Sequence, residues 1–507
     1  MLRLLPALIV GLFVLRAAVA SWPGLWIDEV FSLEHARAPI ARLWTEGWRL
    51  ESSPPLYYTA LWAWIRLSGD SETAARLLSL ALTVVSTLLV QRAAATLAGR
   101  AAGQVAAACW LLPALAFEYS LEIRPYALKA VWIAAATAAL ARALVGHRAG
   151  RIIGAGGAIR AIAPIALAGA AAFYTHTTAF AALVGIAAAS AFYGWRMRAG
   201  AGFAKAWLAG CAALGLLCLP QLAMALGVLA GNRAGLAWIP SSFDPGAVSW
   251  VARQFVLGQI TGPMPVTVGL GMAVYAGLAA AAWRVRDRVE VLAVGVVLPV
   301  VGGFAVWIAG VGQAILMPRT LLWAWVPLAV LVGCAAVRLD WRRTAPRVLA
   351  TAVLLLSGAT LAAWLAQRDV QRPWRTALLE LETRIRPGDR VLMLDPEIGC
   401  LVERYAGPAV RAAQRARLSL GEHQTFWSGQ RIDLGCNALP VVTADGVGAR
   451  PGAADWLLTG DARQRADAAG LVAREGDRLR ARAGIAVGGV QAAVSLVGVG
   501  STRPESR

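Results

Sequence analysis

"SWPGLWIDEVFSLEH", residues 21–35, follows at once on the apolar stretch "MLRLLPALIVGLFVLRAAVA" and sets two adjacent carboxylates, Asp28 and Glu29, just after Trp22 and Trp26. Tryptophan suits the headgroup level of a bilayer, whereas ionised side chains are costly near its core. An acidic pair at that boundary either caps the helix that follows or carries chemistry.

The chain has 507 residues, is 58% hydrophobic and is only 15% charged. Soluble domains are about one-quarter charged, so this composition belongs to a polytopic α-helical membrane protein. Apolar segments over 4–20, 73–91, 102–117, 127–145, 161–175, 177–194, 206–226, 264–283, 289–309, 316–337 and 348–366 predict about eleven transmembrane helices. The pair 161–175 and 177–194 is one apolar run broken at "YTHTT", read as two short helices meeting there. Arginines crowd alternate connections: Arg92 and Arg100, Arg142 to Arg160, Arg196 and Arg198, Arg284 to Arg288, and Arg338 to Arg347. The positive-inside rule makes that side, with the N-terminus, cytoplasmic. The net charge of +19 is thereby explained by loops and anionic headgroups, and no motif points to nucleic acid. The first segment also has the outline of a cleavable signal peptide, but Arg16 inside it favours a retained helix.

From about residue 368 charged residues become common. The expected division is therefore a membrane domain over 1–367, with 21–72 as its first outer loop, and a small extracytoplasmic α/β domain over 368–507. "PWRTALLELETRIR" predicts an amphipathic helix, "RPGDRVLMLDPEIGCLVERY" a turn, a buried strand and a helix, and "DWLLTGDARQR" a second strand and turn. The Gly- and Val-rich stretch 483–500 fits strands better than a twelfth span. Cys109, Cys211, Cys218 and Cys334 lie in apolar spans as packing residues; Cys400 and Cys436, in the tail, are free to pair in an oxidising compartment.

On the outer side polar residues form groups. Beyond Asp28 and Glu29 stand "ESSPPLYYTALWAWIRL" with Tyr57 and Tyr58, "EYSLEIRPYALK" with Glu118, Glu122, Arg124, Tyr126 and Lys129, and the single residues His176 and Arg319. Arginine's planar fork pairs phosphate oxygens, and a carboxylate takes a proton from an incoming hydroxyl. Together these point to group transfer from a lipid phosphate. The four histidines are dispersed, so no metal site is read, and a divalent metal stays an open question.

"WIDEVFS", "SPPLYY", "EIRPYAL", "YTHTT" and "PRTLLWAWVPLA", in that order, resemble the GT-C glycosyltransferases, in particular the bacterial relatives of protein O-mannosyltransferases and of the aminoarabinose transferase of lipid A. The resemblance covers roughly residues 1–367 and implies a bacterial plasma-membrane enzyme with a polyprenyl-phosphate sugar donor, an acceptor hydroxyl and inversion at the anomeric carbon. It makes Asp28 the base, with Glu29 as neighbour or substitute, and gives the donor phosphate to Arg124 and Arg319, with Tyr126 lining the pocket. Lys129 is a further phosphate candidate; Glu118, Glu122, Tyr57, Tyr58 and His176 are weaker substrate contacts. Where many relatives carry histidine before the Pro-Pro pair, this chain has Ser53. The plainer alternatives stay in view: the acids as a helix cap, the arginines paired with Glu118 or Glu122, and the aromatics as an interfacial belt. A flippase for lipid-linked sugar, an O-antigen-ligase-like enzyme and an acyltransferase are the competing functions.

Overall fold

A computed structural model describes residues 2–22, 24–47, 53–152, 154–231, 243–257, 264–312, 315–371, 374–395, 398–419, 436, 439–447, 453–459, 469, 471, 479–487 and 494–501. The chain divides into two compact units, one of Met1–Ala20 with Pro39–Trp364, the other of Ser21–Ala38 with Leu365–Arg507. The short segment bearing Asp28 and Glu29 thus groups with the C-terminal part of the chain.

The helices used below are α1 (Leu5–Val19), α2 (Ile27–Arg37), α3 (Pro55–Ser68), α4 (Glu72–Ala98), α5 (Arg100–Leu111), α6 (Ala114–Tyr119), α7 (Tyr126–Arg148), α8 (Gly154–Thr175), α9 (Phe180–Arg196), α10 (Ala201–Gly231), α11 (Met264–Arg284), α12 (Leu298–Gly312), α13 (Trp325–Ala336), α14 (Thr344–Gln371), α15 (Trp374–Glu382) and α16 (Ile398–Tyr405). Among the described residues eight helices are long and apolar enough to cross a membrane. The remaining three expected spans fall on α1, which has 15 residues, on α11, which has 21, and on a broken segment. That segment, 102–117, breaks between α5 and α6 at Pro113, which has no N–H to continue a helix. The break expected at "YTHTT" is present, with a 3-10 turn Thr177–Ala179 between α8 and α9.

Helices in the first unit approach closely because small residues line their contacts. A Cβ on Gly333 of α13 would lie 2.4 Å from the Ala102 carbonyl of α5, and one on Gly185 of α9 would lie 2.3 Å from the Leu298 carbonyl of α12. Arg16, fully buried in α1, has its charge satisfied by neighbours: Nε donates to Ser120 Oγ at 2.8 Å and Nη2 to the Leu111 carbonyl at 2.7 Å. Its guanidinium also lies 4.5 Å from the centre of the Phe117 ring. Arg16 thereby ties α1 to both sides of the α5–α6 break. Arg76, equally buried, donates from Nη1 to the Ala20 carbonyl at 3.0 Å.

The basic connections meet at one end of this unit. Arg148 Nη1 donates to both Glu290 oxygens at 3.0 Å. Arg338 Nη2 donates to Asp287 Oδ2 at 2.7 Å and its Nη1 to the Arg284 carbonyl at 2.6 Å.

The second unit is built on a six-stranded sheet of β1 (Arg390–Met393), β2 (Gln414–Ser419), β3 (Val441–Thr443), β4 (Asp455–Thr459), β5 (Leu479–Val487) and β6 (Val494–Ser501), in the order β3-β2-β1-β4-β6-β5. β3, β2, β1 and β4 run parallel, while β6 pairs antiparallel with β4 and β5. The stretch 483–500 therefore supplies strands, and the expected β1–α16 and amphipathic α15 are present; the turn expected after β4 lies outside the described residues. β1 and β4 are locked by a buried pair in which Arg390 Nε and Nη2 reach the Asp455 carboxylate at 2.9 and 2.8 Å. Cys400 of α16 is disulfide-bonded to Cys436.

Candidate active site

In the first unit three distant stretches of sequence meet. The first is the loop into α7. Ser79 Oγ of α4 donates to the Glu122 carbonyl at 2.5 Å, and Ser120 Oγ to the Phe117 carbonyl at 2.6 Å, which pins the loop from both sides. Glu118, Glu122, Arg124 and Lys129 are all buried there. The second is His176 at the α8–α9 break. Its Nδ1 accepts from the Thr178 backbone N–H at 3.2 Å and lies 3.0 Å from Thr178 Oγ1, so the neutral ring carries its proton on Nε2. Lys129 Nζ in turn donates to Thr178 Oγ1 at 3.2 Å. The third is Arg319, half-buried in the short helix Pro318–Leu321, whose start is held by the Met317 N–H donating to Thr320 Oγ1 at 3.2 Å.

Rings close the gaps between these groups. Tyr126 lies 5.5 Å from the His176 ring and 4.7 Å from the Tyr119 ring, and Lys129 Nζ is 5.2 Å from the Tyr126 centroid. Arg124 Nη1 reaches Tyr58 Oη of α3 at 3.5 Å, and Tyr57 packs edge-on against Tyr58 at 5.5 Å.

His176 sits between two spans, and burial, followed by the charges of Lys129, Arg124 and Arg319, holds it well below the usual histidine range. Tyr119 is pushed well above its usual value by burial, then Glu122 and Glu118, with Arg319 opposing. The basic side chains at 124, 129 and 319 thus each push this imidazole toward its neutral form. Lys129 and Arg148 lie 19 residues apart on α7, about 29 Å at the helical rise, so this cluster and the basic loops occupy opposite ends of the unit.

Asp28 and Glu29 belong to the second unit, in the first turn of α2. There the two acids differ. Glu29 is fully buried and its Oε2 accepts from the Trp26 N–H at 3.4 Å, the return bond of a capped helix start. Asp28 is only half-buried. The cap reading therefore fits Glu29, leaving Asp28 the more accessible carboxylate.

Thr178 and Tyr119 were missed by sequence reasoning. Thr178 carried a readable signal, a hydroxyl two residues after a histidine at a span break; Tyr119 carried none beyond the neighbouring acids. Among the described residues no three of His, Cys, Asp and Glu gather as a metal ion would require.

No family model matches the sequence, and no curated protein matches it. Solved structures do. ArnT from Cupriavidus metallidurans bound to undecaprenyl phosphate superposes with a TM-score of 0.56 at 13% identity, covering 97% of each chain. Its apo form gives 0.55 at 14% identity with the same coverage. The Archaeoglobus fulgidus oligosaccharyltransferase tethered to an acceptor peptide gives 0.50 at 12% identity, covering 98% of this chain and 75% of that one. At these identities the likeness speaks for architecture: this chain is an integral membrane protein with the GT-C fold.

Proposed function

We propose that this chain is an inverting glycosyltransferase that moves a hexosyl or pentosyl group from a polyprenyl-phosphate donor to an acceptor hydroxyl at the outer face of a bacterial plasma membrane. The observation that supports this reading is the buried Lys129–Thr178–His176 relay beside Tyr126, in a fold whose solved example, ArnT, holds undecaprenyl phosphate. In this reading residues 1–367 form the catalytic membrane domain, with a cytoplasmic N-terminus, and 368–507 the outer domain. The basic loops at the far end of the first unit support that orientation.

The donor phosphate binds Arg124, Lys129 and Arg319, with Tyr126 lining its pocket and the His176 Nε2–H as a further donor. Glu118 and Glu122 balance the cations, while Tyr57 and Tyr58 back Arg124. The acceptor oxygen attacks the anomeric carbon from the face opposite the phosphate and gives its proton to Asp28. The new C–O bond forms as the sugar–phosphate C–O bond breaks. The lipid phosphate leaves as an anion held by the three cations and needs no proton. Glu29 keeps the start of α2 in shape.

The test is to incubate membranes holding the full-length protein with a panel of labelled polyprenyl-phosphate sugars and an extract of cell-envelope acceptors. Label moving from lipid to acceptor is expected. Label that crosses the bilayer without transfer would replace this reading with a flippase.

A further inference from the structure

The start of α2 is held from the far end of the chain. Leu25 is fully buried one residue before the helix N-cap, so its N–H requires a partner, and that partner is Tyr405 Oη at 2.6 Å. Tyr405 is the last residue of α16, and its ring lies 5.4 Å from the Arg375 guanidinium of α15. At its other end α16 is bonded through Cys400 to Cys436. Cys436 lies so near that a Cβ on Gly399 would stand 2.5 Å from its carbonyl, a space only glycine leaves open. α16 is thus fixed at both ends and grips α2 one turn before Asp28. Within α2, Ser32 Oγ donates to the Asp28 carbonyl at 2.9 Å and Glu29 caps Trp26, so a displacement of Leu25 carries Asp28 with it.

We propose that the outer domain positions the reaction's base: Tyr405, through the Leu25 N–H, and the Cys400–Cys436 disulfide, through α16, set where the Asp28 carboxylate stands. Tyr405 is a positioning residue, and the proposal rests on Asp28 being the base. An error of about 1 Å in such a group costs on the order of a hundredfold in rate. A tether that instead only stabilised the fold would change how much active enzyme there is and leave the turnover of each molecule alone.

The experiment uses full-length protein in proteoliposomes. Turnover is counted per site titrated with undecaprenyl phosphate, using whichever labelled donor the panel identifies. Tyr405→Phe, which removes only the hydroxyl, is expected to lower turnover per site about tenfold or more with the affinity for undecaprenyl phosphate unchanged. Cys400→Ala with Cys436→Ala should give the same split, and it decides the matter should Tyr405→Phe not accumulate. Amide exchange over residues 25–33 should quicken in both variants; this readout needs no donor, and unchanged exchange overturns the proposal. Quickened exchange with unaltered turnover overturns it equally. Asp28→Asn, measured alongside, separates the two readings: full turnover there removes the base assignment and this proposal with it. An inactive Asp28→Asn beside a fully active Tyr405→Phe removes the tether alone.

Discussion

The ammonium of Lys129 donates to the hydroxyl of Thr178 at 3.2 Å, across 49 residues of sequence, and that hydroxyl lies 3.0 Å from Nδ1 of His176. The hydroxyl accepts from lysine and donates to histidine, so the relay has a direction. It puts the proton of the neutral His176 ring on Nε2 and uses one of the three N–H donors of Lys129.

Thr178→Val keeps the shape of the side chain and cuts the relay. The affinity for undecaprenyl phosphate should fall about tenfold, as expected for losing a hydrogen bond to a charged group. Thr177→Val, one residue away, serves as the control and should bind as the parent does in equilibrium titration.

Arg319→Ala should weaken donor binding by about 10- to 100-fold through loss of a charge-assisted contact, with the acceptor KM little changed. Arg319→Lys should restore part of it, since the charge returns without the planar fork. An unaltered donor Kd in the alanine variant would take Arg319 out of the phosphate site.

The two acids of α2 should separate cleanly. Asp28→Asn should lower turnover by about 10²- to 10⁴-fold, the range of a general base, with donor binding kept. Glu29→Gln retains an oxygen for the Trp26 N–H and should stay within about tenfold of the parent. The reverse ranking in a steady-state transfer assay would hand the proton to Glu29.

Arg16→Leu leaves the Ser120 hydroxyl and the Leu111 carbonyl short of a buried donor, at about 1–3 kcal/mol each. The expected result is a lower Tm of the detergent-solubilised protein, with donor affinity falling as the loop into α7 loosens.

Arg390→Leu strands Asp455 in the core of the sheet, a change that typically costs about 3–5 kcal/mol. Loss should appear as early unfolding of the second unit, followed by protease cutting within 365–507.

Much of this was legible beforehand. Charge scarcity and apolar length gave the class, and polar residues at span ends marked Arg124, Lys129, His176 and Arg319, because lipid makes such residues conspicuous. The break at "YTHTT" was visible for the same reason. β2 and β3 were not read: "QRARLS" alternates weakly, and "VVT" is too short to show a period. The number of spans was blurred where Pro113 splits an otherwise continuous apolar run. Which acid is accessible depends on the rotation of α2, although Trp26 followed three residues later by Glu29 already had the spacing of a cap. The bond from Leu25 to Tyr405 could not be seen at all, because nothing in either local sequence names a partner so far away.

That distance sets an order of events during synthesis. Leu25 and Tyr405 are separated by 380 positions, so a ribosome adding about 5–20 residues per second makes the second roughly 20–80 s after the first. Throughout that interval the acidic helix lacks the hydroxyl that will hold it. On the proposed reading, a nascent chain that has not reached Tyr405 carries its phosphate-binding cations without a seated base.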